Sequence, residues 1–362
     1  MTAVDLPLPL PGPPEPAAAV KSGRQIRWYR TPIDKTVLKT LSTRSDFKGA
    51  LQTLSYLAIY ATTAAAALYS VGHLRWYVTV ACLFLHGMVA AFMINGVHEL
   101  GHGTVFKTKA LNKFFEQVLA FLGWINHRMF SVSHARHHAY TLHPPDDLEV
   151  TLPVRLAVRH FFIQGFVNPL GLYYSVKDTI RIARGQMRGA WELTLFPPGD
   201  LQKRKGPVDW ARTLLWGHAV IVLLFLCSGI ALHSPALMMV PVVTTFAPFY
   251  GGWLFFLCNN TQHIGLQDNV PDFRLCCRTF ILNPVVRVLY WQMNFHTEHH
   301  MYPTVPCYYL NRLHQAVAQD LPPCPRGLYQ TWKEITAILG KQADDPKYQH
   351  IAIVPIRPHP QG

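Results

Sequence analysis

The sequence predicts an all-α membrane protein: four transmembrane helices in two hairpins, with a cytoplasmic helical cap that carries a histidine site for two metal ions. Three observations predict it. Only 15% of the 362 residues are charged while half are hydrophobic, against about 25% charged in soluble domains. Four apolar runs reach the ~20 residues a helix needs to cross a ~30 Å hydrocarbon core. Eight of the 19 histidines fall into three short clusters.

Residues 1 to about 20, MTAVDLPLPLPGPPEPAAAV, are proline-rich and lack the basic-then-apolar order of a signal peptide. With the residues up to 45 they read as a flexible cytoplasmic tail. The first hairpin pairs 50–71 with 76–97 across GHLR, and the second pairs 213–232 with 236–258 across HSP. A further apolar segment, 114–125 (FFEQVLAFLGWI), would reach only ~18 Å at ~1.5 Å per residue and reads as an interfacial or re-entrant helix. The membrane domain then covers 46–340, and 341–362 is a C-terminal tail. The hairpin tips contain a single cation, Arg75; every other Lys and Arg lies before the first run, between Val97 and Arg212, or after Cys258. The positive-inside rule puts those three regions, and both termini, in the cytoplasm.

The net charge of +13 suits anionic lipid or an acidic protein partner. No basic helix interleaved with aromatics and no zinc-finger spacing occurs, which argues against nucleic acid. The seven cysteines are odd in number and contain no C-x-x-C pair, so they read as reduced, with neither a disulfide framework nor a cysteine zinc site.

The histidine clusters are HELGH (His98, His102), HARHH (His134, His137, His138) and HTEHH (His296, His299, His300). On a helix, residues at i, i+3 and i+4 share a face, so each cluster can aim its imidazoles at one point. All three fall on the cytoplasmic side. A ninth candidate, His263, follows the fourth run, with Asn259 one turn before it. Neutral imidazole suits iron, zinc and copper, and nine ligands exceed the roughly four to six that one ion takes, which indicates two metals. The scattered histidines (73, 86, 127, 143, 160, 218, 233, 314, 350 and 359) read as structural, with packing or a helix-to-helix hydrogen bond explaining His86 and His218 inside apolar runs. Trp124, Tyr290 and Trp291 flank the clusters and read as core before they read as a tunnel lining.

HELGH also matches the H-E-x-x-H of a zinc protease, in which the glutamate activates water. An intramembrane protease would need a further ligand, usually an aspartate on a later span. The last two runs contain no acid, and HARHH and HTEHH would have no role. Glu99 therefore reads as a group that orients a ligating imidazole. A metal carrier would need ionisable residues along a path through the membrane, whereas these gather at one surface.

With its boxes in this order around two hairpins, the sequence from about 50 to 320 resembles the membrane fatty acid desaturase–hydroxylase family. Its H-x3/4-H, H-x2/3-H-H and (H/Q)-x2/3-H-H boxes are matched by HELGH, HARHH and HTEHH. The resemblance implies a non-haem di-iron centre that uses O2 as co-substrate, with His263 as an extra ligand and Asn259 contacting metal through water. It implies one iron on His98, His102, His138 and His300, and the other on His134, His137, His263, His296 and His299. The third box begins with histidine, where front-end desaturases typically have glutamine. There is no H-P-G-G haem motif, so electrons would come from a separate donor, cytochrome b5 or, in a bacterium, ferredoxin. A basic cytoplasmic face would attract acidic cytochrome b5. The implied activity is an oxidoreductase that introduces a double bond into a fatty-acyl or related lipid chain. A hydroxylase or ketolase acting on a sphingolipid, carotenoid or terpenoid is the alternative in the same superfamily. The implied location is the endoplasmic reticulum membrane of a eukaryote, or the plasma membrane of a bacterium.

Overall fold

The computed structural model describes residues 25–154, 156 and 158–355; the proline-rich stretch expected to be flexible lies outside them. Among the described residues the chain is helical, and extended pairing is confined to isolated bridges such as Tyr29 with Asp272. The helices are α1 (Lys35–Leu41), α2 (Asp46–Ser70), α3 (Trp76–Ala90), α4 (Met93–Gly101), α5 (Lys109–Leu122), α6 (His127–Tyr140), α7 (Val158–Gly165), α8 (Pro169–Ala183) and α9 (Gly189–Leu195). There follow α10 (Leu201–Ala231), α11 (Pro235–Met238), α12 (Val240–Thr244), α13 (Trp253–Asn259), α14 (Phe273–Cys276), α15 (Pro284–Leu289), α16 (His296–Met301), α17 (Leu310–Val317) and α18 (Gly327–Asp344).

Starts are marked by side chains that accept the first free amides. Ser45 Oγ accepts from Lys48 at the head of α2, and Asn126 Oδ1 accepts from Met129 at the head of α6. The α3–α4 run, Trp76–Gly101, and α10 are long and apolar enough to cross a membrane. α2 packs antiparallel beside α3, and its Tyr56 hydroxyl donates to the Val89 carbonyl at 2.8 Å. α5 packs along α4, burying Leu119 and Ala120 while Phe114 faces outward. It is the expected short helix, stopped at Trp124, where φ is 56°.

The run 236–258 differs from the continuous span the sequence suggested. Pro241 and Pro248 lack an amide and Gly251 has φ of 68°, so the segment breaks into α11, α12, a 3-10 turn at Ala247–Phe249 and α13. The carbonyls freed by the breaks are taken by side chains. Tyr60 Oη and His86 Nε2 both reach Val243 O at 2.8 Å, and Trp124 Nε1 donates to Thr245 O at 2.7 Å. His218 bonds Phe121 O at 3.0 Å and Thr245 Oγ1 at 3.1 Å. Both in-span histidines are thus structural.

Two terminal segments assigned to tails are docked. In 25–45, Trp28 stacks on Phe273 with ring centroids 4.1 Å apart, and Leu41 is buried. Beyond 340, α18 continues to Asp344 and the His350 amide donates to Gly265 O at 2.7 Å. The first buries an apolar side chain, whereas beyond 340 Ile351 and Ile353 stay exposed and the contact is carried by hydrogen bonds such as that of the Gln349 side chain with Asp268. The core below the histidines is built on Tyr56, Phe92, Phe106, Tyr290, Trp291 and Phe295, all essentially inaccessible. This places Tyr290 and Trp291 in packing.

Gly251 combines left-handed φ with a site where a Cβ would lie 2.4 Å from Phe84 O; Gly72, φ 79°, has open space around it. Gly251→Ala is expected to add overpacking of about 1–3 kcal/mol to the ~1 kcal/mol backbone strain that Gly72→Ala incurs alone. Apparent Tm in lipid nanodiscs should therefore fall much further for Gly251→Ala.

Candidate metal centre

α4, α6 and α16 and the loop after α13 bring all nine histidines together. They form two groups: His98, His102, His134, His138 and His299; and His137, His263, His296 and His300. Within each group the ring nitrogens available as ligands lie within 4.8 Å of one another. The groups are adjacent, for His138 of one stacks on His300 of the other with centroids 4.2 Å apart.

This division differs from the one the resemblance implied: His134 and His299 join the first group and His300 joins the second. Helix geometry explains it. At ~100° per residue, positions four apart differ by only ~40°, whereas adjacent positions differ by ~100°. His134 and His138 therefore point together, as do His296 and His300, and the middle histidine of each H-x-x-H-H box turns to the neighbouring group. His137 and His299 are exchanged between the two helices.

Five of the nine imidazoles are hydrogen-bonded from behind, while the outer nitrogens of His138 and His296 have no such partner. His137 Nδ1 pairs with Asp147 Oδ2 at 2.8 Å, and His134 Nδ1 with Glu149 Oε1 at 2.8 Å. His300 Nδ1 meets the Thr141 hydroxyl at 3.2 Å, and His263 Nδ1 donates to Cys276 O at 2.7 Å. Glu99, fully buried, faces His98 Nδ1 at 3.1 Å and His299 Nδ1 at 3.4 Å. That is where a carboxylate orienting these two rings would sit. Burial and then neighbouring imidazoles hold His134, His138, His296, His299 and His300 well below the usual histidine range. Their neutral form is the ligating one. Asp147 stays below the usual carboxylate range: burial raises it, but the His137 hydrogen bond and charge and the amides of Leu142 and Glu149 outweigh that.

The donor atoms fit metal ions. In both groups Nε2 atoms face one another across the centre. His134 and His138 Nε2 are 2.9 Å apart, His138 and His299 Nε2 3.2 Å, His263 and His296 Nε2 3.0 Å, and His296 and His300 Nε2 3.1 Å. Two imidazoles at right angles on an ion with bonds of ~2.0–2.1 Å stand about 3 Å apart. His98 Nε2 and His102 Nε2 are buried without any partner, as atoms reserved for a ligand would be.

The sequence reading missed the carboxylates Asp147, Glu149 and Glu298. Their signals were the acidic stretch DDLE seven residues after HARHH and the glutamate inside HTEHH. Glu298 accepts from Thr279 Oγ1 and pairs with His314. It also missed Arg278, whose guanidinium bridges Thr261 O at 2.6 Å and Ile264 O at 3.0 Å while its amide donates to Gln262 O at 2.8 Å. The loop that carries His263 is clamped on both sides. Burial pulls that guanidinium down to about 10, so it remains charged at neutral pH. Asn259 ends α13 and lines a cavity of about 390 Å³ with Met93, Ile94, Gly123, Ile125 and Phe255.

Removing such an orienting partner typically costs about 10–100-fold in metal affinity. Asp147→Ala is therefore expected to weaken metal retention by about that factor in chelator competition. Glu192→Ala, at the Arg181 ion pair away from the histidines, should leave it unchanged.

The chain is similar to an omega-3 fatty acid desaturase of the endoplasmic reticulum from Vigna radiata var. radiata. The two are 26% identical over 230 residues, covering 59% of this chain and 57% of the relative. The chain thus spans somewhat more than half the length of that curated relative. The sequence model of the family described as fatty acid desaturase matches residues 27–332, a stretch that includes every helix bearing a histidine of the two groups. By that match the chain belongs to the fatty acid desaturase family.

Proposed function

We propose that this protein is an O2-dependent lipid desaturase that inserts a double bond into a fatty-acyl or related lipid chain, using two iron ions and electrons from a separate donor. The observation that carries this reading is the pair of adjacent imidazole groups, five and four strong, with inward nitrogens and five outer nitrogens held by hydrogen bonds. His98, His102, His134, His138 and His299 would hold one ion, and His137, His263, His296 and His300 the other; Asn259 would approach the second through water. Bound iron supplies O2 reduction and hydrogen abstraction from an unactivated C–H bond. The protein's own residues orient the imidazoles, exclude water and position the chain.

In the membrane reading, α2, α3–α4, α10 and the broken α11–α13 segment cross the bilayer and leave both termini in the cytoplasm. Large apolar side chains face outward on three of these elements: Leu51 and Leu54 on α2, Trp76 and Val80 on α3, Trp216 and Leu223 on α10, each at least half exposed. Such a belt suits lipid. The surplus of cytoplasmic cations suits an acidic donor, cytochrome b5 or ferredoxin. The similar Vigna protein is named for the endoplasmic reticulum, which supports that membrane in a eukaryotic host.

The cavity at Asn259 lies one turn from both His98 and His263 and is the natural chamber for the chain, at a volume within the usual range for ligand sites, about 300–1,000 Å³. Whether hydrogen is removed twice or a hydroxyl returns to carbon depends on where a methylene sits relative to the metals, to a fraction of an ångström.

Expression in yeast with lipid mass spectrometry tests the reaction. Loss of two hydrogens is expected; gain of one oxygen would assign the hydroxylase alternative instead. Purified protein should contain about two irons per chain, and full activity with substantially less would end the di-iron reading. His137→Ala or His299→Ala should abolish product. Ile94→Trp, which fills the cavity from a position that supplies no ligand nitrogen, should lower turnover at least tenfold while iron content is kept.

A further inference from the structure

We propose that residues 161–176, FFIQGFVNPLGLYYSV, form a re-entrant hairpin immersed in the hydrocarbon layer, with lipid acyl chains as its partner, α7 descending and α8 returning. The charges alone assign the whole stretch from Val97 to Arg212 to the cytoplasm. A hairpin that enters and leaves on one side preserves that topology and therefore leaves no trace in the charge count.

The first support is a pair of breaks that satisfy each other. At the elbow between α7 and α8, the Asn168 amide donates to Phe249 O and the Gly251 amide donates to Phe166 O, both at 2.8 Å. Hydrocarbon offers no partner to such groups, so irregular backbone at membrane depth must be paired within the protein. The interruption of the fourth crossing at 249–251 thus requires a protein partner at its own depth, and the elbow is that partner. Asn168 Oδ1 also accepts the Gly171 amide at 2.8 Å, while Pro169 has no N–H to leave unpaired.

Depth is the second support. Gly251 lies against α3 so closely that a Cβ would meet Phe84 O at 2.4 Å, and the Phe166 and Phe84 rings are 5.5 Å apart. Phe84 lies ~12 Å along the helix from Trp76 at ~1.5 Å per residue, well inside the layer. At the other end of α8, Arg212 Nε donates to Ala183 O at 3.1 Å, where α10 passes from charged to apolar sequence. α8 therefore runs from the interior of the bilayer to its cytoplasmic surface.

The side chains agree. No charge occurs in 161–176, and Phe162, Val167, Leu170 and Tyr173 are each more than half exposed. The cations start at Lys177 and continue through Arg181, Arg184 and Arg188, at the level where lipid phosphates lie. On its inner side α7 contributes Gln164 to the cavity shared with Phe255 and Asn259. The membrane-immersed hairpin is then one wall of the chain chamber, and a lipid chain reaches the chamber from the bilayer beside α7. The proposal rests on the four-crossing reading but not on the reaction.

The test uses the unmodified full chain in phosphatidylcholine vesicles carrying a diazirine midway along the acyl chain. After photolysis, peptide mass spectrometry should find lipid adducts on both 213–231 and 161–176. Adducts on 213–231 with none on 161–176 would overturn the hairpin alone; adducts on neither would overturn the membrane crossing itself. As a second measurement, Val167→Cys and Arg188→Cys chains in nanodiscs are treated with a charged maleimide and the modified peptides quantified. Labelling at 167 should be at least tenfold lower than at 188, and equal labelling would refute immersion.

Discussion

Desolvation is the constraint on which this site depends. A buried imidazole has two nitrogens, and each needs a partner in a space that water does not reach. Here Asp147, Glu149, Thr141, Glu99 and the Cys276 carbonyl engage outer nitrogens, which fixes the ring tilts and leaves the inner nitrogens to face one another. The helices that present the boxes are short, α16 having six residues, too few to be stable alone. Their conformation comes from these hydrogen bonds and from the Trp291 and Phe295 core beneath them. A box of histidines is therefore only half of the design; the residues behind it turn a cluster into a cage.

The same constraint governs the apolar half of the molecule. The segment after α11 is interrupted among apolar neighbours, and Tyr60, His86, Trp124 and Tyr250 supply hydrogen bonds to its carbonyls. Polar side chains that looked out of place in apolar runs have this use. The interruption borders the recess beside Asn259, for Pro248, Phe249 and Gly252 line it together with α4 and α13. The broken apolar segment and the histidine site are consequences of one accounting of donors and acceptors.

Much of this was legible in the sequence because it depends on local spacing. The i, i+3, i+4 pattern announces that HARHH and HTEHH each converge, and three of the four apolar runs are helices where expected. What was not legible depends on contacts distant in sequence. Pro241, Pro248 and Gly251 mark a weak point in the fourth run, but only the fold shows side chains arriving to replace the lost bonds. Asp147 reaches back ten residues to His137 across a turn whose path no periodicity encodes, and Arg278 grips the His263 loop from a separate element. Likewise 25–45 has a tail's composition, yet Trp28 finds Phe273 on the cap.

The exchange of His137 and His299 has a consequence for how such a protein can change. Because each of two helices feeds both groups, inserting a residue between the last two histidines of either box would turn one against the other by about a further quarter turn and disturb both groups together. Neither can be remodelled or abandoned while the other is kept. The adjacency of the last two histidines in each box is then set by interlocking geometry rather than by any one ion's preference, and lineages are free to vary the spacing before that pair far more readily than the pair itself.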